Sequence, residues 1–281
     1  MLTRSNYRGR MGATFGPEQA VGWIAVPGPA DDKYSRGVVG FATGSARYPG
    51  AAVLGVEAAL HTGVGMVRYL GAGRPTRLVL QRRPEAVTAE GRVQAWVLGS
   101  GQDPDALDDF SATVRDRTLA DAVPTVLDAG ALGFVERVVG TRVLVPHAGE
   151  LARMLGRDRA EVTADAPGAA LEAASVFDAV VLLKGHTSYV ASPDGGLLDV
   201  SCAPAWTATA GAGDALAGVL GALLATHALE VDADPGAAAP LAATAAVLHG
   251  LAAERASSGG PFTVLELCAE LPGVIRGLLR G

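Results

Sequence analysis

The sequence predicts an α/β fold: a mostly parallel central sheet covered by helices on both faces. Three observations lead there. Short β-branched runs alternate with Ala/Leu-rich segments of helical spacing through the first two thirds of the chain. Five or six of the predicted strands end in Gly, Asp, His or Lys, as strand ends facing a ligand cleft do. The chain is 49% hydrophobic with 37 glycines and only 5% aromatics, so small side chains can bring helices close to the sheet.

In order, residues 38–43 read as a strand and 51–61 as a helix with apolar residues on one face. Residues 65–70 and 93–98 are further strands, and 105–120 is a helix with one polar side. Short buried strands follow at 125–127 and 143–145, helices at 150–155 and 164–177, and a strand at 180–183. Residues 188–191 and 197–200 flank Pro193, Asp194, Gly195 and Gly196, which reads as a β-hairpin near the end of the sheet. Helices at 214–226, 237–256 and 264–279 finish the chain. With no composition shift or long linker, residues 31–281 are expected to form a single domain, with residues 1–30 an N-terminal extension, partly ordered before Pro27.

Composition narrows the function classes. The net charge of −6 and the absence of a basic stripe argue against nucleic acid. Cys202 and Cys268 form neither a disulfide framework nor a zinc spacing. No run is read as approaching the roughly 18 apolar residues of a membrane span, and the first residues lack a secretory apolar stretch, so a cytoplasmic location and no membrane partner are expected. Of 23 basic residues only Lys33 and Lys184 are lysines, compact point charges that arginine does not always replace.

Four segments carry chemistry. Thr209, Ala210, Gly211, Ala212 and Gly213 run into an apolar helix that starts with Asp214. Such a helix start offers free N–H groups and partial positive charge to a phosphate, and a carboxylate there can take a proton from a hydroxyl. The alternative is a plain helix cap. Lys184, Gly185, His186, Thr187 and Ser188 follow a buried strand and can meet a nucleotide; the alternative is a solvated strand-end lysine. His147 lies at another strand end. Glu150, in the next helix's first turn, either compensates the dipole or holds Mg²⁺ through water; no other metal ligand is assigned. The stretch 31–65 holds a glycine loop ahead of Ala51 but no GxGxxG. The segments around Gly101 and Asp128 read as turns.

Taken together, DDKYSRG with GFATGS, PGAAVLGVEAALHTGVG, LGSG, VLDAGAL, VPHAGELARML, VVLLKGHTSYVASPDG, ATAGAGDALAGVLGALLA and AAVLHGLAAE resemble, in this order, the ADP-dependent (S)-NAD(P)H-hydrate dehydratases, lyases of ribokinase-like fold. The resemblance spans residues 31–254. It implies a three-layer α/β/α domain that uses ADP, or ATP, to dehydrate the S epimer of hydrated NADH or NADPH. The ring hydroxyl is phosphorylated and phosphate is then lost. It implies Asp214 as the base, Ala51, Gly101, His147 and Asp214 on the hydrated dinucleotide, and Lys184, Gly185, His186, Thr187, Ser188 and Gly213 on ADP/ATP. Thr209, Ala210, Gly211, Ala212 and Gly213 would form the phosphate loop. It further implies Mg²⁺, a homo-oligomer, often a tetramer, and an epimerase, expected here as a separate protein.

The chain departs from the family pattern at Ala212, where a Ser or Thr hydroxyl is common, at Ala148 in place of Pro, and at the bulky His186. Ala212 leaves more of the phosphate holding to backbone N–H groups. Three alternatives stay open: a kinase of the same fold acting on hydroxyethylthiazole, hydroxymethylpyrimidine or a sugar; a nucleotide sensor without turnover; and a redox enzyme, disfavoured by the missing dinucleotide fingerprint.

Overall fold

The computed structural model describes residues 12–281. Its strands are β1 (Ala13–Thr14), β2 (Val38–Ala42), β3 (Met66–Tyr69), β4 (Ala95–Leu98), β5 (Thr125–Leu127), β6 (Arg142–Leu144), β7 (Val180–Leu183), β8 (Ser188–Ala191) and β9 (Leu197–Val200). Among the described residues they form one sheet in the order β1-β9-β8-β7-β6-β5-β4-β2-β3. From β3 to β7 neighbouring strands are parallel; β8 is antiparallel to both β7 and β9. The predicted hairpin is therefore present, with Gly195 at φ +85° in its turn.

The helices are α1 (Pro17–Ala20), α2 (Gly50–Thr62), α3 (Gly73–Arg82), α4 (Asp109–Leu119), α5 (Ala148–Leu155), α6 (Arg159–Ala164), α7 (Ala166–Phe177), α8 (Ala212–Thr226), α9 (Ala228–Ala233), α10 (Ala238–Ser257) and α11 (Val264–Arg280). Side chains alternate between the two sheet faces. Val39, Phe41, Val97, Val126 and Leu182 join α2, α8, α10 and α11 in one core. Val38, Ala42, Leu98, Leu127 and Leu183 join α4, α5, α6 and α7 in the other. Both faces are covered, so the central strands read as unbroken apolar runs.

Small residues set how closely the layers approach. A Cβ on Gly218 of α8 would lie 2.2 Å from the Gly55 carbonyl oxygen of α2, and one on Gly221 would lie 2.2 Å from Val97 Cγ2 of β4. Only glycine permits this double contact, which fixes the start of α8 relative to the strand ends.

Several expectations need correction. The expected 105–120 helix is interrupted: Pro104–Ala106 is a 3₁₀ turn, and α4 begins after Asp108, which accepts from Ser111 N at 2.9 Å. α3 was not among the expected helices; its Pro75 is tolerated because it lies in the first turn. The part of the expected N-terminal extension from residue 12 onward packs into the molecule: β1 pairs parallel with β9, and Phe15, Ala20 and Trp23 are buried in the larger core. Residues 1–11 of that extension, and the start of the leader reading, lie outside the described residues. The helical stretch Pro235–Ser257 is long and apolar enough to cross a membrane, contrary to the reading that no run is. It is instead packed between the sheet and α8, α11 and α1, with 89% of its most apolar window buried.

Candidate active site

The parallel strands deliver their carboxyl ends to one edge. β7 leaves the sheet at Lys184, whose N–H donates to the Pro146 carbonyl at 2.8 Å; Lys184 and His147 form an isolated parallel bridge. The loops after β6 and β7 therefore start side by side. Lys184 Nζ lies 2.7 Å from Asp128 Oδ1, at the end of β5, and 3.9 Å from Glu150 Oε2. Asp128 Oδ2 in turn accepts from Ser100 Oγ, after β4, at 2.8 Å. One network ties four neighbouring strand ends.

Asp214 faces this network as the third residue of α8. The helix opens at Gly211, whose φ of +94° places it in the left-handed region, and a Cβ there would lie 2.5 Å from Leu54 Cδ1. No side chain caps α8. Its first turn is left for a ligand to cap, and the helix dipole favours an anion. Gly213 brings the backbone close to the lysine: a Cβ there would lie 3.4 Å from Lys184 Nζ.

The electrostatics follow from three carboxylates sharing one lysine. Burial pushes the Asp214 carboxyl up to about 7, and the Asp128 charge pushes the same way against the weaker opposing pull of Lys184. Burial works against the charge on Lys184, but Asp128, Glu150 and Asp214 outweigh it and hold its pKa above the ordinary lysine value. Asp214 is thus poised near neutrality beside a permanent cation, a suitable state for a general base.

His147 caps α5. Its Nδ1 accepts from the Gly149 and Glu150 N–H groups at 3.0 and 3.2 Å, and Glu150 Oε2 accepts from His147 N at 2.8 Å. A nitrogen that accepts carries no proton, so the ring's proton sits on Nε2, 3.6 Å from Glu150 Oε1 on a half-exposed side chain. The two readings of Glu150 are not exclusive: it completes a capping box and stays within reach of the lysine.

A cleft of about 710 Å³ is lined by His147, Lys184, Gly185, His186, Ser188, Thr209, Ala212 and Gly213, and backed by Cys202, Leu216, Ala246 and His249. Thr187 donates to or accepts from Ser201 Oγ at 2.9 Å, beside the cleft wall. Ala210 is exposed within the loop. Ala51 and Gly101 lie together farther along the edge: Gly101 has φ +66°, and a Cβ on it would lie 2.4 Å from Ala51 Cβ. Gly101 follows β4, three strand spacings from Lys184, about 14 Å. The predicted residues thus form two neighbouring groups along one edge; Asp214 does not line the cleft of the first group but acts on its Lys184 through charge.

Lys33 and the DDKYSRG stretch do not join them. They precede β2, at the opposite edge, where Asp32 Oδ1 accepts from Tyr34 N and Ser35 N in an exposed turn. A slightly larger cavity, about 760 Å³, also opens at that edge beside Arg142, Asp178, Asp194 and Asp232. Its helix start at Pro235–Gly236 is already capped by the Asp234 carboxylate, and it has no lysine, so chemistry and not size selects the first cleft. The sequence reading took the segments that hold Ser100 and Asp128 as turns and gave His249 no role. An acid directly after an apolar strand was the available signal for Asp128; nothing local marks the other two.

With helices covering both faces of a mostly parallel sheet, the chain has the three-layer ribokinase-like fold. The family profile described as NAD(P)H-hydrate dehydratase matches residues 39–268, and the chain belongs to that family. It is 34% identical over 284 residues to the ADP-dependent (S)-NAD(P)H-hydrate dehydratase of Xanthomonas campestris, covering 91% of this chain and 94% of that one. It is 41% identical over 213 residues to the bifunctional NAD(P)H-hydrate repair enzyme of Mycobacterium tuberculosis, covering 72% of this chain; the match spans 43% of that relative's length. The crystal structure of the ADP/ATP-dependent NAD(P)H-hydrate dehydratase from Bacillus subtilis, co-crystallized with ATP/Mg²⁺, superposes with a TM-score of 0.83 at 26% identity, covering 95% and 98% of the two chains.

Proposed function

We propose that this chain is a lyase that dehydrates the S epimer of hydrated NADH or NADPH at the expense of ADP or ATP. The observation that carries the proposal is the placement of Asp214: a carboxyl with pKa near 7 in the uncapped first turn of α8, beside the Asp128-held lysine. Asp214 takes the proton of the ring hydroxyl as that oxygen attacks the terminal phosphoryl group of the nucleotide. The P–O bond to the nucleotide breaks, leaving AMP from ADP, and a phosphate ester forms on the ring. The ring C–O bond then breaks, phosphate leaves, and loss of the adjacent C–H proton restores the dihydropyridine double bond.

In this reading Gly213 N–H and the loop Thr209–Ala210–Gly211–Ala212 cradle the moving phosphoryl, and Lys184 neutralises its charge. Gly185, His186, Thr187 and Ser188 hold the rest of the nucleotide. His147 Nε2–H, Ala51 and Gly101 meet the hydrated dinucleotide. Among the described residues no group of three or more His, Cys, Asp or Glu has a metal-binding arrangement. Mg²⁺ would arrive with the nucleotide phosphates and water, with Glu150 as its protein contact through water, and would neutralise phosphate charge. Use of one epimer requires an epimerisation elsewhere to supply the other half of the damaged pool.

The test supplies hydrated NADPH with ADP and, in parallel, with ATP, and follows the dihydronicotinamide absorbance. Absorbance recovers with release of AMP or ADP and phosphate if the proposal holds. No recovery, together with stable phosphorylation of a vitamin precursor such as hydroxyethylthiazole, would make the protein a kinase instead.

A further inference from the structure

We propose that His249 is a positioning residue for phosphoryl transfer: it grips the Ala212 carbonyl and so turns the Gly213 N–H toward the phosphate. The inference rests on the reading of the α8 loop given above and extends it to a residue on another helix. His249 belongs to α10, is 6% exposed, and forms part of the back wall of the cleft. Its Nε2 lies 2.9 Å from the Ala212 carbonyl oxygen.

A carbonyl only accepts, so Nε2 carries the proton and Nδ1 does not. Burial and the nearby Lys184 charge push the ring's pKa down to about 4 against the opposing effect of the Ala212 bond. The ring is neutral at pH 7 and holds this one tautomer. The Ala212 C=O and the Gly213 N–H belong to the same planar trans peptide and point in opposite directions. Fixing the carbonyl on the α10 side therefore aims the N–H out of the helix start. The same hydrogen bond polarises the peptide and strengthens that N–H as a donor.

Two features give this peptide unusual weight. Ala210 and Ala212 bring no hydroxyl, so within the loop only Thr209 can add a side-chain donor to the backbone N–H groups. Gly213 runs directly beside Lys184: a Cβ on it would sit in ordinary van der Waals contact with the ammonium, 3.4 Å from Nζ.

The test measures AMP and ADP affinity by calorimetry, and turnover, for wild type, His249→Leu and His249→Gln. The amide nitrogen of Gln reaches where Nε2 sits; Leu fills the volume without a donor. In His249→Leu, ADP affinity should fall about tenfold while AMP affinity is kept, the effect of one lost hydrogen bond to a charged group. Turnover should fall at least as far, and His249→Gln should restore most of both. Equal loss of AMP and ADP binding, or a Gln variant no better than Leu, would reduce His249 to packing and overturn the proposal. Should the variants not fold, imidazole ¹⁵N shifts of the wild type decide: a neutral Nε2–H tautomer supports the proposal and an Nδ1–H tautomer overturns it. The affinities are read without hydrated substrate, so a wild type that fails to repair the hydrate counts against the proposed reaction alone.

Discussion

The molecule holds two buried ion clusters of opposite design. At the strand ends Lys184 faces three carboxylates: Asp128, Glu150 and Asp214. On the far side of α2, Glu57 faces two guanidinium groups. Arg83 Nε and Nη2 donate to it at 2.5 and 2.6 Å, and Arg82 Nη2 at 3.0 Å. The Glu57 side chain is 1% exposed, yet burial, which would raise its pKa, is outweighed by both arginines, and its pKa stays low. His61 beside it is kept uncharged, because burial and the arginines lower its pKa against the pull of Glu57. The second cluster is closed: Arg83 also lies 3.6 Å from Glu85, so two carboxylates balance two guanidinium groups, and it clamps α2 to the end of α3. The first is left with excess negative charge, so one proton, that of Asp214, is loosely assigned near neutral pH. The difference separates a charge used to hold a shape from one used to move a proton.

The comparison breaks most visibly if its members are exchanged. Asp214→Asn should lower turnover by about 10³-fold, within the usual range for losing a general base, with ADP affinity changed little. The same variant should melt higher than wild type at pH 8. A folded pKa raised above the ordinary value of 3.8 means that the folded state resists ionisation, so wild-type stability falls as pH rises above that value toward 7. The gain should vanish by about pH 4. Thermal melts across that range check the sign; a variant that melts lower at pH 8 would mean Asp214 is a structural acid.

Glu57→Gln should do the reverse. It removes the charge from a bidentate pair and leaves two partly exposed arginines, which water can reach, so the loss is about 2 kcal/mol and not the full penalty of a buried orphan charge. Urea unfolding measures it, and turnover per folded molecule should stay within twofold. Because the folded pKa of Glu57 lies below the ordinary glutamate value of 4.5, its contribution is present above that pH and is lost as pH falls through the folded value. The two proteins should therefore converge in stability in acid. A large fall in turnover with stability unchanged would place Glu57 in the chemistry.

The sequence exposed these two clusters unequally, and the reason is physical. Lys184, His147 and the Gly211–Gly213 run sit where an apolar strand or helix changes abruptly into polar or glycine residues, and such junctions are local signals. The central strands were likewise legible because burial on both faces makes them uniformly apolar. Glu57 lies inside an Ala-rich helix and reads as surface, since its arginines come from α3, 25 and 26 residues away. His249 is hidden for the same reason: its partner Ala212 is 37 residues distant. Asp128 was visible as an acid after a strand, but its worth depends on Lys184, 56 residues on. What escaped was pairing across the fold, which no local pattern encodes.

That dependence supplies the finest test of the open cluster. Asp128 raises the proton affinity of Asp214 by direct repulsion and also occupies Lys184, which would otherwise favour the Asp214 anion more fully. Asp128→Asn removes the repulsion and releases the lysine, and both changes act in one direction. The acid limb of kcat/KM for hydrated substrate, expected near pH 7 in wild type, should move down by about one unit. At pH 8, where Asp214 is ionised in both proteins, turnover should fall only modestly, because Lys184 keeps Glu150 within 3.9 Å. A limb that stays near 7 would mean burial alone sets the Asp214 proton, and the excess of carboxylates at the strand ends would then serve only to anchor the lysine.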